Sequence, residues 1–352
     1  MNREWLNQPI PALNTEIEAA ALERQGMLTK PPGSLGRLEA LAVALAAMQG
    51  RLKPSLEKIR IVVFAGDHGV VDEGVSAFPQ VVTLEMIKNF ARGGAAISVM
   101  AKQLGASLEV VDVGSAGELE ALPGVVVQKA ATATANFCRQ EAMSEAELDA
   151  ALNAGRDAVA RGLEEGMQLF IGGEMGIGNT SPATAIATAL LQCEVSELAG
   201  PGTGLDAAGV LHKIEVIERA LALHADNLKE PLSILRHVGG FEIAALCGAY
   251  IAAAQNRVPV LVDGFITTSA ALLALQIKPE LSQWMFLAHA SAEPGHQKMV
   301  SAIGQTPLLD LGMRLGEGSG AAVAVTLLRS AIALHNNMAT FAEAGVSEGD
   351  AA

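Results

Sequence analysis

The sequence predicts an α/β fold: a doubly wound, mostly parallel sheet with helices on both faces, plus a small helical domain made from both chain ends. Three observations predict it. Short runs rich in Val, Ile, Leu and Phe alternate with longer helical runs, and their apolar character is continuous, as in strands covered on both faces. The two chain ends, by contrast, read as helical with no strand between their helices. At 352 residues the chain suffices for one large α/β unit or about two domains.

In chain order, residues 5–50 read as helical, interrupted by the turn from Lys30 to Leu38. Pro31, Pro32 and Gly33 stop one helix there, and Ser34 is expected to help start the next. Strands are expected at Ile59–Phe64, Leu108–Val113, Gln168–Ile171, Val258–Val262 and Trp284–Leu287, with helices between them. Residues 303–345 read as helical again, and the tail from Gly345 to Ala352 is expected to fray. The expected division is a large Rossmann-like substrate-binding domain over 30–302 and a small helical domain formed by 1–29 and 303–352.

Composition narrows the function classes. Half of the residues are hydrophobic, only 3% are aromatic and 36 are Gly, so the core is expected to pack closely through small side chains and to offer few base-stacking platforms. A net charge of -14 repels nucleic acid and anionic membranes, so an anionic ligand requires a local site. Cys138, Cys193 and Cys247 lie far apart without CxxC spacing and read as free thiols of a reducing compartment. The N-terminus lacks the pattern of a secretory signal, and the apolar stretch Phe241–Ala254 is too short to span a bilayer and holds Glu242. A soluble, cytoplasmic protein is expected.

In an open parallel sheet, ligands bind beyond the carboxyl ends of the strands. The residues following the expected strands are polar: Asp67 and His68, then Asp112, Glu174, Asp263, and finally His289 with Ser291 and Glu293. Each alone is equally well explained as a helix cap or a solvated loop residue. Together they outline a pocket. The most informative stretch runs from Gly172 to Pro182, a strand-to-helix turn in which small residues let backbone N–H groups approach an anion and Asn179, Thr180 and Ser181 can cap the helix. Glu174 repels a phosphate, so it is expected to serve a ribose or a developing positive charge. An ordinary capped connection remains the alternative.

Glu317 stands between Gly316 and Gly318, ahead of an apolar helix running to about Leu334. It reads either as a first-turn carboxylate stabilised by the helix dipole or as a general base whose pKa burial raises. Gly202-Thr203-Gly204 is a loop with only a weak dinucleotide signature, and no Gly-Lys-Ser/Thr sequence occurs, which excludes a P-loop. Lys213 is either a phosphate counter-charge or part of a solvated helix face. Asp67 and His68 can bind a metal or orient a general acid, but His289 and His296 supply no familiar ligand spacing, and no metal is expected. Phe78 and Met86, in the mobile-looking segment from Gly74 to Met86, can sandwich a flat heteroaromatic ligand or belong to the core.

Six motifs in this order resemble one family: Lys30 to Glu39, Asp67 to Gly74, Gly173 to Pro182, Val238 to Phe241, Pro259 to Phe265 and Arg314 to Gly320. The family is nicotinate-nucleotide:dimethylbenzimidazole phosphoribosyltransferase, and the similarity spans about residue 28 to residue 335. The resemblance implies transfer of ribose 5-phosphate from nicotinate mononucleotide to 5,6-dimethylbenzimidazole, giving α-ribazole 5'-phosphate and nicotinate for the lower ligand of cobalamin. It implies no cofactor, no metal, and a homodimer. Carried onto this chain, it makes Glu317 the base and places Glu174 on the ribose side. Gly176, Asn179, Thr180, Lys213, Asp263 and Ser291 become nucleotide- and phosphate-binding residues, and Phe78, Met86, Leu315 and Gly316 the acceptor pocket. The rival readings are a metal-dependent hydrolase centred on Asp67, His68 and Asp263, and a nucleotide sensor without turnover. An exposed Glu317, as the flanking glycines suggest, argues against the sensor.

Overall fold

The computed structural model describes residues 3–347. Six strands, β1 (Ile59–Gly66), β2 (Ser107–Gly114), β3 (Val125–Val127), β4 (Leu169–Met175), β5 (Val260–Val262) and β6 (Met285–Leu287), form one sheet. Their order is β3-β2-β1-β4-β5-β6, with every neighbouring pair parallel. The order reverses between β1 and β4, so the switch-point crevice of a doubly wound fold opens beyond their carboxyl ends. β1 and β5 are buried along their whole length, as continuous apolar runs require when both faces are covered.

The helices are α1 (Thr15–Met27), α2 (Arg37–Gln49), α3 (Val81–Arg92), α4 (Ala96–Leu104), α5 (Glu145–Glu164), α6 (Thr180–Leu191), α7 (Ala207–Leu223), α8 (Pro231–Val238), α9 (Phe241–Gln255), α10 (Phe265–Ile277), α11 (His296–Ile303), α12 (Ser319–Asn337) and α13 (Phe341–Ala344). Fourteen residues of α9 are buried, including Glu242, and this helix packs on β1, β2, β4 and β5. Its close partner is α5: a Cβ on Gly155 or Gly248 would strike the backbone of the opposing helix, so hydrogen there sets the approach. Among the described residues no helix is long and apolar enough to cross a membrane. Cys138, Cys193 and Cys247 are free thiols.

All five expected strands are present. β3 escaped the sequence reading because three residues are too few to show a hydrophobic pattern. Residues 304–318 are not helical as expected; a Gly-rich connection runs from α11 to α12 and carries Leu315, Gly316 and Glu317. Ser34 makes no cap. α2 begins after Gly36, and the turn is fastened instead by Glu39, which accepts from the Leu35 N–H at 3.0 Å and pairs with Lys30 at 2.9 Å. Residues 348–352 of the tail expected to fray lie outside the described residues.

Candidate active site

Two segments far apart in sequence meet above the crevice. β4 carries Glu174 next to its last residue and passes through Gly176 and Gly178 into α6, while Gly316, Glu317 and Gly318 lead into α12. These last three residues all have left-handed backbones, with φ of +85°, +64° and +87°. The two segments touch through glycine. A Cβ on Gly316 would collide with the Glu174 carboxylate, and one on Gly173 with the Glu317 carbonyl. Glycine is therefore needed at 316 for its conformation and for the approach.

Both carboxylates are buried, with 5% of Glu174 and 6% of Glu317 exposed. Burial pushes Glu174 up to about 8; Asn179 Nδ2, which donates to its Oε2, and the Glu317 backbone oppose this, whereas the charges of Glu242 and Asp263 reinforce it. Burial raises Glu317 too, and Asp263 adds to the effect, while the Ile97 N–H that donates to its Oε2 at 3.1 Å works in the other direction. Glu317 is thus neither exposed nor in a first helical turn. It precedes Gly318, the residue just before α12, and its side chain accepts from the Ile97 N–H at the start of α4.

The cavity above these groups has a volume of about 370 Å³. Phe78, Val82, Met86 and Leu315 form an apolar wall, with Phe78 49% and Leu315 61% exposed at its mouth. Glu174, Gly176, Asn179, Thr180, Asp263, Ser291, Gly316 and Glu317 line the same cavity, so nearly every residue assigned from sequence faces one space. Their duties differ from expectation in three places. Asn179 does not cap α6, because its backbone is already helical and its amide serves Glu174. Asp263 Oδ1 accepts from the Ala321 N–H at 2.7 Å, so the end of β5 caps α12 across space. Lys213 lies off the cavity wall rather than on a solvated face: 1% exposed, it donates to Thr180 Oγ1 at 2.6 Å and to the Gly200 carbonyl at 3.2 Å. Burial draws its pKa down to about 8, opposed by Glu293.

Asp67, His68 and Asp112 do not reach the cavity. Asp112 accepts from the Gly114 and Ser115 N–H groups and closes its own turn. His68 lies fully buried with Nε2 3.1 Å from Glu242, a partner that sequence reasoning had seen only as an interruption in an apolar run. Burial lowers its pKa, but the Glu242 carboxylate and the charge of Asp67 together outweigh that and raise it overall. Among the described residues no group of three or more His, Cys, Asp or Glu side chains is placed to hold a metal ion. Arg314, Thr203 and His289 also line the cavity. Arg314 stands in the same motif as Glu317, and that adjacency was the available signal for it; Thr203 had none beyond its loop.

Comparison with known proteins shows the family to which the chain belongs. A phosphoribosyltransferase family model matches residues 10–346. The nicotinate-nucleotide–dimethylbenzimidazole phosphoribosyltransferases of Pseudomonas putida and Pseudomonas aeruginosa are each 58% identical over 348 residues, covering 99% of this chain and of theirs. The crystal structure of CobT from Thermus thermophilus superposes with a TM-score of 0.91 at 46% identity, covering 95% of this chain and 100% of that one.

Proposed function

This chain belongs to the nicotinate-nucleotide–dimethylbenzimidazole phosphoribosyltransferase family and is an enzyme of that kind, and from that premise we propose how its residues perform the transfer. The donor is nicotinate mononucleotide, the acceptor 5,6-dimethylbenzimidazole, and the product α-ribazole 5'-phosphate, which joins the nucleotide loop of cobalamin. The observation that carries the reading is the convergence of two buried carboxylates on one cavity with an apolar wall.

The bond from the anomeric carbon to the pyridinium nitrogen breaks, and its electron pair returns to the ring, which leaves as nicotinate without needing a proton. One benzimidazole nitrogen attacks the same carbon from the opposite face, inverting β to α. The other nitrogen then carries the surplus proton, which passes to Glu317. Glu317 suits this because burial raises its proton affinity above that of an ordinary carboxylate, and the Ile97 N–H holds it in place. Glu174 lies on the ribose side. It holds a proton in the free enzyme below about pH 8, and the positive pyridinium ring of the donor draws its pKa back down, so that the proton passes to solvent and a negative charge is left beside the oxocarbenium-like centre.

The β4–α6 turn with Thr180 and Ser291 receives the phosphate, and Lys213 supports Thr180 from behind. Phe78, Met86 and Leu315 take the flat acceptor. We read the enzyme as cytoplasmic and homodimeric, with the large unit at 30–302 and both chain ends in the small helical one. Proton NMR of chelator-treated protein with nicotinate mononucleotide tests the reaction. Nicotinate release that depends on dimethylbenzimidazole, with a new α-anomeric proton, is expected. Release without the acceptor would instead mean hydrolysis, and binding shifts without product would mean a sensor.

A further inference from the structure

Thr83 stands on α3 beside Val82, and with Val82 and Met86 this helix supplies part of the apolar wall. The Thr83 side chain points elsewhere and is fully buried. Its Oγ1 lies 2.6 Å from Asp67 Oδ1 and 3.1 Å from the backbone nitrogen of Ile177. A backbone N–H can only donate, so the hydroxyl accepts from Ile177 and gives its own proton to Asp67. Asp67 is itself immobilised: Oδ2 accepts from the Ala116 N–H at 2.7 Å, and its backbone bonds to Gly114 and Thr134. One hydroxyl therefore ties the end of β1, the helix of the acceptor wall and the β4–α6 turn together. Among the described residues it forms the one hydrogen bond between α3 and residues 176–179 of that turn.

Gly176, Ile177, Asn179, Phe78, Val82 and Met86 all line the cavity; in the transfer reading the first three lie on its nucleotide side and the last three on its acceptor side. We propose that Thr83 is a positioning residue for the transfer: its hydroxyl, braced by Asp67, sets the spacing between the acceptor wall and the nucleotide turn, and so the line from the attacking nitrogen to the anomeric carbon. The proposal rests on the transfer reading given above. It assigns to Asp67 a bracing role, in place of the metal or acid chemistry that its sequence motif suggested. Misplacement of reacting groups by about 1 Å costs on the order of 10²-fold in rate. Such a loss falls on kcat, because each substrate keeps its own contacts.

The test compares full-length wild type, Thr83→Val and Thr83→Ser with nicotinate mononucleotide and dimethylbenzimidazole as substrates and calorimetric binding of the nucleotide as a second readout. Thr83→Val should lower kcat by about 10- to 100-fold with nucleotide affinity and acceptor KM within about threefold. Thr83→Ser should restore kcat to within about threefold of wild type. A kcat within twofold in Thr83→Val, or equal losses in both variants, would overturn the role. Should Thr83→Val fail to fold, Thr83→Cys, with a weak S–H donor in the same place, is expected to lose several-fold in kcat, and a wild-type kcat there overturns the role as well. Absence of transfer by wild type would overturn the underlying reading itself, an outcome distinct from wild-type transfer with an unaffected variant.

Discussion

Glu317 holds a left-handed backbone, φ +64°, between two glycines at +85° and +87°. An L side chain costs about 1–2 kcal/mol there, so a carboxylate in that position is kept for what it does. Glu317→Gln preserves shape and removes the basic oxygen; kcat should fall by about 10²- to 10⁴-fold with nucleotide affinity unchanged, and a wild-type rate in steady-state assays would remove Glu317 from the mechanism. Glu174 makes a thermodynamic prediction. Its pKa rises from 4.5 to about 8 on folding, so between those values the folded chain binds more protons than the unfolded one. The stability this proton supplies is complete below about 4.5 and lost as pH rises through about 8. Calorimetric melting temperatures should therefore fall less between about pH 5 and 8.5 in Glu174→Gln than in wild type, and parallel curves would contradict the shift. Both carboxylates were legible in the sequence because glycines flank them. That Asn179 serves Glu174 and not the helix was not, since capping depends on a backbone angle that composition does not reveal.

At the scale of elements, the N-terminus of α12 is held by a residue from another strand. Asp263 Oδ1 takes the Ala321 N–H, and burial raises the Asp263 pKa while nearby His289, 3.7 Å away, and the helix amides oppose that. Asp263→Ala should cost about 1–2 kcal/mol, as the loss of a cap does, and should lower kcat too, because the 315–318 turn depends on that anchor. Asp263→Asn keeps an acceptor oxygen and should retain most of the stability; denaturant titration of both variants distinguishes capping from charge. The strand ending at Val262 was readable from its apolar run, and so was the polar residue that follows it. Its partner lies on a helix more than fifty residues later, and the intervening 304–318 segment, read as helix, proved to be the connection that lets Glu317 reach Glu174.

Over the whole molecule, the two chain ends meet at the far end of α12. Arg24 on α1 donates from Nε to the His335 carbonyl at 2.8 Å and from Nη2 to the Asn336 carbonyl at 3.2 Å, a cationic cap on the last turn. Arg24→Met should destabilise by about 1–3 kcal/mol and leave kcat unchanged, because the site lies about 28 Å away along the helix. A changed kcat would show that the two ends of α12 communicate. Saturating nicotinate mononucleotide at about 100 times its Kd should add about 2.7 kcal/mol to unfolding, visible as a raised calorimetric midpoint, and no rise would mean that the folded cavity does not bind it. The amino-acid sequence by itself determined the alternation of buried strands and helices, the parallel sheet and the two carboxylates between small residues, because hydrophobic periodicity and glycine placement are local properties of the chain. Only the tertiary structure decided that Glu317 is buried, that Lys213 supports Thr180 from off the cavity wall, and that Asp67, Thr83 and Ile177 form one bracket. Those outcomes depend on which distant segments pack together, and desolvation and hydrogen-bond partners exist only once they have done so.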